Sequence, residues 1–231
     1  SETDFVAKNE IFQEYVTDAA IVALRSNGDV CEMKKFNCPK CGKTFEERLT
    51  DMIAKIGENM NLRRAKMIEV NDGVVASYIH NAAGTNIGKI GVLVALESKA
   101  DKAKLAELGK HIAMHVAASN PLFLNVAAVD PAAVEHEKAI YSEQAKASGK
   151  PENIIEKMVE GRVRKYYDEV VLEEQAYIMD PDKKVKQVVA DTAKELGADI
   201  KIADFACFKL GEGLQKKEED FAAEVASQLN K

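Results

Sequence analysis

Cys31, Cys38 and Cys41 are the residues best placed for metal or thiol chemistry, and the last two open a Cys38-Pro39-Lys40-Cys41-Gly42 run. Two thiols at that spacing form half of a zinc knuckle, a turn that directs backbone N–H groups toward the sulfurs. A closed structural zinc site takes four ligands, and Cys31 is the candidate third. No histidine lies nearby, the remaining cysteine is the distant Cys207, and Asp29 or Glu32 are poor substitutes for a fourth ligand. The alternative is an inserted loop with free thiols. A disulfide is disfavoured in a reducing compartment. His111 and His115 stand four apart on a helical pattern, a spacing able to hold a metal. The residues between them are Ile, Ala and Met, with no acid and no third ligand, so a buried or hydrogen-bonded role is the simpler reading. Gly211-Glu212-Gly213 lacks the Lys-Ser/Thr of a phosphate loop and reads as a turn. With no nucleophile elbow and no paired-carboxylate signature, the chemistry points to a binding protein.

These residues must be positioned by helices and an antiparallel sheet. Residues 3–25 read as one amphipathic helix, capped by Thr3 or Asp4 and stopped at Gly28. Phe5 then lies at the helix start, either opening the buried stripe of Phe12 and Val16 or projecting past the helix end. A second helix is predicted over 46–56, ended by Gly57. Alternation predicts strands over 60–70, 74–80 and 87–97, forming a three-stranded antiparallel sheet covered by a helix over 105–118. Helices over 131–147 and 152–168, split by Ser148-Gly149-Lys150-Pro151, form a hairpin. Asp180-Pro181 reads as the cap of a helix to Leu196, residues 199–210 as a strand, and 220–229 as a terminal amphipathic helix. Asp4-Phe5-Val6-Ala7 is echoed by Asp220-Phe221-Ala222-Ala223, which suggests two related lobes, residues 1–119 and 120–231. The fold class is α+β.

The chain has 231 residues, enough for a sizeable core, with 46% apolar and 30% charged residues. No apolar run approaches the roughly 20 residues of a membrane span, and no secretory leader is evident. A net charge of −6 argues against phosphate neutralisation as the mode of binding, so no direct nucleic-acid partner is expected.

The run Thr3-Asp4-Phe5-Val6-Ala7-Lys8-Asn9 resembles the signature of the bacterial and organellar translation elongation factor Ts family. Further runs agree in order: Lys55-Ile56-Gly57-Glu58-Asn59, Ser77-Tyr78-Ile79-His80, His111-Ile112-Ala113-Met114-His115, and Lys157-Met158-Val159-Glu160-Gly161-Arg162. The likeness covers nearly all of the chain except residues 27–46, which hold the cysteines. It implies a two-lobed core of antiparallel sheet packed with helices, and a protruding helical coiled coil over 131–168. In that family a small helical domain precedes the core, so the chain is expected to be a fragment or processed form without it. The resemblance implies a guanine-nucleotide exchange factor for elongation factor Tu that promotes GDP release by displacing the GTPase-bound Mg²⁺. It assigns that step to Thr3, Asp4, Phe5 and Val6, and further partner contacts to Ile56, Gly57 and His80. The helix from Asp220 resembles the family's tail module, which touches the partner's nucleotide domain. It implies no resident cofactor, a core able to form a homodimer, and residence in the bacterial cytoplasm or an organelle interior. The contrasting expectation is a zinc-containing structural or RNA-associated module of the translation machinery, built on Cys31, Cys38 and Cys41.

Overall fold

The first regular helix starts later than the sequence predicts. The computed structural model describes residue 3 and residues 5–39, 41–146 and 151–213. Asp4, the hairpin tip at 147–150 and the expected helix over 220–229 lie outside the described residues. Helix α1 spans Glu10–Arg25, preceded by a 3-10 turn over Val6–Lys8. Asn9 separates them because its backbone is extended and its side chain accepts the Ile11 N–H at 2.9 Å. A short polar side chain that satisfies a free amide caps a helix more favourably than it continues one.

The cysteine segment is part of the core. Asn27 and Gly28 take φ of 51° and 75°, turning the chain into α2 (Val30–Lys35), which Asp29 caps. A Cβ on Gly28 would lie 3.0 Å from the Met67 backbone nitrogen, so the turn needs glycine for space as well as conformation. Helix α3 (Phe45–Ile56) opens with a Thr44–Glu47 capping box and closes on Gly57 at φ 79°. Met33 and Phe45, each 1% exposed, pack with Val6, Tyr15, Val22 and Met52 into a helical core.

Residues 60–70 form no strand. Side chains tie this stretch down instead: Lys66 pairs with Asp204 at 2.7 Å, and Arg64 with Glu212 at 2.8 Å. Strands β1 (Gly73–Gly84) and β2 (Ile87–Glu97) make an antiparallel hairpin with a bulge between Ala82 and Gly84. Helix α4 (Lys102–Ser119), capped by Asp101 and ended by Asn120 at φ 49°, lies across it. Gly109 allows that approach, since a Cβ there would lie 2.6 Å from the Ala76 Cβ. Helices α5 (Pro131–Lys146) and α6 (Glu152–Val170) pair antiparallel, joined at their base by Val129, Val134, Val163 and Val171.

Short strands β3 (Ala176–Tyr177) and β4 (Asp180–Lys184) follow, then α7 (Val185–Leu196). The helix expected from Asp180 therefore begins at Val185, because residues 180–184 pair with β3. Strand β5 (Lys201–Lys209) supplies the third strand of the main sheet, ordered β1-β2-β5. The β2–β5 ladder runs from Ile90↔Lys209 to Glu97↔Lys201. It crosses the expected boundary at 119/120, so one sheet is built from both halves of the chain. Leu105, Ile112 and Val116 of α4 are fully buried against it together with Leu172 and Val185. Each such side chain contributes about 1.5–3 kcal/mol through burial. Helices segregated around antiparallel sheet make this an α+β fold.

Candidate functional site

The turn before α1 divides two adjacent apolar residues between core and solvent. Val6 is 2% exposed and sits among the side chains of α1 and α3. Phe5 is 84% exposed, the most exposed large apolar side chain among the described residues. The expectation that Phe5 starts the buried stripe of α1 fails, because the 3-10 turn rotates it off that face and Val6 takes the buried place. Backbone bonds hold the turn: Lys8 N–H donates to the Phe5 carbonyl at 3.1 Å and Asn9 N–H to that of Val6 at 2.9 Å.

Thr3 brings this turn to the end of α3. Its backbone N–H donates to a Glu58 carboxylate oxygen at 3.0 Å, and its hydroxyl donates to the other oxygen. Glu58 follows the Ile56–Gly57 corner directly, so the first two groups of predicted contact residues are neighbours. Ile56 is half-buried against the helical core. Gly57 is exposed, and a Cβ there would meet nothing within 4 Å. Its glycine is required by the left-handed φ of 79°, not by crowding within this chain.

His80 is exposed on β1, its Nδ1 3.0 Å from the Tyr78 hydroxyl. Gln13 links this end of β1 to the N-terminal turn, its side-chain amide donating to the carbonyls of Ala7 at 2.9 Å and Ala83 at 3.2 Å. A groove of about 420 Å³ lies between the two, lined by Thr3, Ala7, Phe12, Val16, Ala82 and Ile87 among others. Lys8 and Lys89 add positive charge to its mostly apolar lining. Glu58 and Gln13, which bind the pieces together, were not singled out from the sequence. Glu58 does stand inside the Lys55–Asn59 run that carries the family likeness.

The histidine pair on α4 is not brought together as a ligand set. His115 is fully buried, its Nε2 2.9 Å from Gln175 Oε1, and its Nδ1 accepts the Ile178 N–H at 3.3 Å. Burial lowers its pKa below the ordinary histidine value, and the Gln175 bond offsets part of that. Cys31 is exposed on α2, Cys38 is buried and Cys41 is exposed. Among the described residues no three His, Cys, Asp or Glu side chains gather where they would hold a metal ion. No helix among those residues is long and apolar enough to cross a membrane.

An exposed aromatic on a braced turn, beside an apolar groove, is equipped for docking. Comparison with known proteins places the chain among translation elongation factors. The sequence profile described as Elongation factor TS matches residues 2–212, and the chain belongs to the elongation factor Ts family. Elongation factor Ts of Sinorhizobium medicae (strain WSM419) is 54% identical over 227 residues, covering 98% of this chain and 74% of the relative. That of Paramagnetospirillum magneticum (strain ATCC 700264 / AMB-1) is 54% identical over 228 residues, covering 99% and 73%. The Rhodospirillum rubrum protein is 53% identical over 232 residues, covering 100% of this chain and 75% of its own length.

Proposed function

We propose that this chain is a guanine-nucleotide exchange factor for elongation factor Tu, working by binding and without making or breaking a covalent bond. The observation that carries the reading is Phe5, 84% exposed on a turn that Val6 anchors and Thr3 ties to Glu58. An aromatic held outside its own core gains burial only when a partner covers it. Covering it contributes about 1.5–3 kcal/mol. If the nucleotide-free GTPase covers Phe5 and the GDP form does not, linkage weakens GDP by the same free energy, about ten- to a hundredfold. Phe5 acts as a wedge that shifts the partner elements holding Mg²⁺, and loss of that ion removes charge neutralisation from the diphosphate. Thr3 and Val6 hold the wedge in place. Ile56 and Gly57, next in sequence to the Glu58 that Thr3 binds, and His80, next in sequence to Asn81 of the groove lining, supply further contacts, and Asp4 belongs to the Thr3–Val6 segment by sequence.

The test is release of fluorescent GDP from elongation factor Tu with this chain and with Phe5→Ala. Acceleration that drops several-fold in the variant is the expected result. Acceleration unchanged by the substitution overturns the wedge and moves its role to Ile56, Gly57 and His80. A folded wild-type chain that gives no acceleration overturns the exchange reading.

A further inference from the structure

The cysteine turn carries an arrangement that partner docking does not use. Asn37 and Thr44 form an antiparallel bridge, Cys38 N–H donates to the Lys43 carbonyl at 2.8 Å, and Gly42 N–H donates to the Cys38 carbonyl at 2.9 Å. Gly42, at φ 69°, lets the chain close that tight loop. The loop carries Cys38, 4% exposed, and Cys41, exposed to solvent. A guanidinium contacts the buried sulfur: Arg48 Nη1 lies 3.5 Å from Cys38 Sγ. Arg48 is fixed by Asp18 at 2.9 Å and stacks over the Phe45 ring at 4.9 Å.

The geometry points to Cys38 and Cys41 as a reversible dithiol–disulfide pair, with Arg48 as the residue that stabilises the Cys38 thiolate. Three features favour this over a zinc site. A closed zinc site takes four ligands, and among the described residues no group of three His, Cys, Asp or Glu side chains gathers where it would hold a metal ion. The guanidinium already places positive charge at Cys38 Sγ, which opposes a second cation there and favours the thiolate. The pair is also asymmetric, with Cys41 exposed to an outside reagent and Cys38 buried, as attack and resolution require. A low-molecular-weight disulfide is the oxidant. The Cys41 thiolate attacks one of its sulfurs, forming a mixed disulfide and releasing one thiolate. The Cys38 thiolate then attacks Cys41 Sγ and releases the second. Two protons pass from the protein thiols to the two leaving thiolates, so the protein is oxidised by two electrons and the small disulfide is reduced to two thiols. Cys207 is expected to stay out of this reaction, since burial pushes its thiol pKa up. The inference does not rest on the exchange reading.

The experiment equilibrates the whole chain in mixtures of reduced and oxidised glutathione, then combines intact mass with peptide mapping. The expected product is a chain two hydrogens lighter, with a Cys38–Cys41 bond and Cys31 and Cys207 still open to maleimide. Cys38→Ser should stop at a stable glutathione adduct on Cys41. Arg48→Gln should slow resolution of the Cys41 adduct several-fold, because it removes the cation beside Cys38 Sγ. Arg48→Lys, which keeps a cation there, should largely restore the resolving step, a rescue that a purely structural role for the guanidinium does not produce. Adducts on Cys41 that never resolve in the wild type, disulfides formed only between chains, or zinc that protects both thiols at one ion per chain would each overturn the inference.

Discussion

Acidification offers a direct test of the buried network on α4. His115 is fully buried and both ring nitrogens are engaged. The Gln175 amide donates its N–H groups to the Ser119 and Glu169 carbonyls, at 3.4 and 2.8 Å. Its oxygen must therefore face His115, which puts the histidine proton on Nε2 and leaves Nδ1 to accept from Ile178. A second proton has to sit on Nδ1, against that N–H, in a site closed to water. Burial accordingly holds the pKa below 6.5 in the folded chain, while the unfolded chain titrates at about 6.5. Below about pH 6.5 the unfolded state binds the proton first, so stability falls as pH falls, until the folded form also titrates. The slope approaches about 1.4 kcal/mol per pH unit between those two pKa values. Glu173 opposes this at lower pH, because burial and then the Glu174 charge raise its pKa, and its protonation favours the folded state. Asp51 and Asp72, which are exposed, and the half-buried Asp191 are each held below the usual range by a lysine. Their contribution is lost only at about pH 4 and below. Urea unfolding followed by far-ultraviolet circular dichroism, from pH 7.5 to 5, reads the effect for the wild type and His115→Gln. The variant should lose about 1–3 kcal/mol at pH 7.5 through disrupted hydrogen bonds and should lose the histidine slope. The other histidines, His80, His111 and His136, are unchanged in it. Equal slopes in both proteins would refute the argument.

Three further perturbations separate packing from docking. Phe5→Ala should change unfolding free energy by no more than about 0.5 kcal/mol, as for an exposed site; a larger loss in the same urea experiment would mean that Phe5 packs within this chain. Gly109→Val places atoms where the Ala76 Cβ is 2.6 Å away. It should cost about 1–3 kcal/mol by overpacking, and an unchanged thermal midpoint would show that α4 does not need glycine at that contact. Thr44→Ala removes the capping box of α3, at a cost of about 1 kcal/mol in a denaturant titration. That loss should leave the reaction of Cys41 with disulfides in place, as read by the same mass assay.

The parts of the fold legible in the sequence are those whose signals are local. Thr44, Glu47 and Gly57 mark the ends of α3 with capping chemistry that acts within one turn, and the structure uses all three. The β1–β2 hairpin follows from alternation on both sides of a short polar turn. Sequence and structure part where the partner is remote. Residues 60–70 alternate as a strand would, yet alternation says nothing about which backbone is free to pair, and the third place in the sheet is taken by β5. At 180–184 the Asp-Pro pair looks like a helix cap, and pairing with β3 delays α7 to Val185. At the N-terminus Thr3 is one of two cap candidates in the sequence, with Asp4, but it binds Glu58, 55 positions away. The proposed docking residues are legible through family likeness alone. The groove beside the N-terminal turn, and the Gln13 and Glu58 bonds that assemble it, join residues far apart in sequence and leave no local signal.

The β2–β5 ladder also sets an order of events at the ribosome. Strand β2 ends at Glu97 and its second neighbour begins at Lys201. At about 5–20 residues per second, the intervening chain takes about 5–20 s to make. Throughout that interval Val92, Val94 and Leu96 belong to a strand with one edge unpaired, the kind of edge that recruits other chains. The newborn protein is therefore most prone to aggregation after β2 has emerged and before β5 arrives. Messages cut short between those strands should yield insoluble product, while those reaching past Lys209 should not.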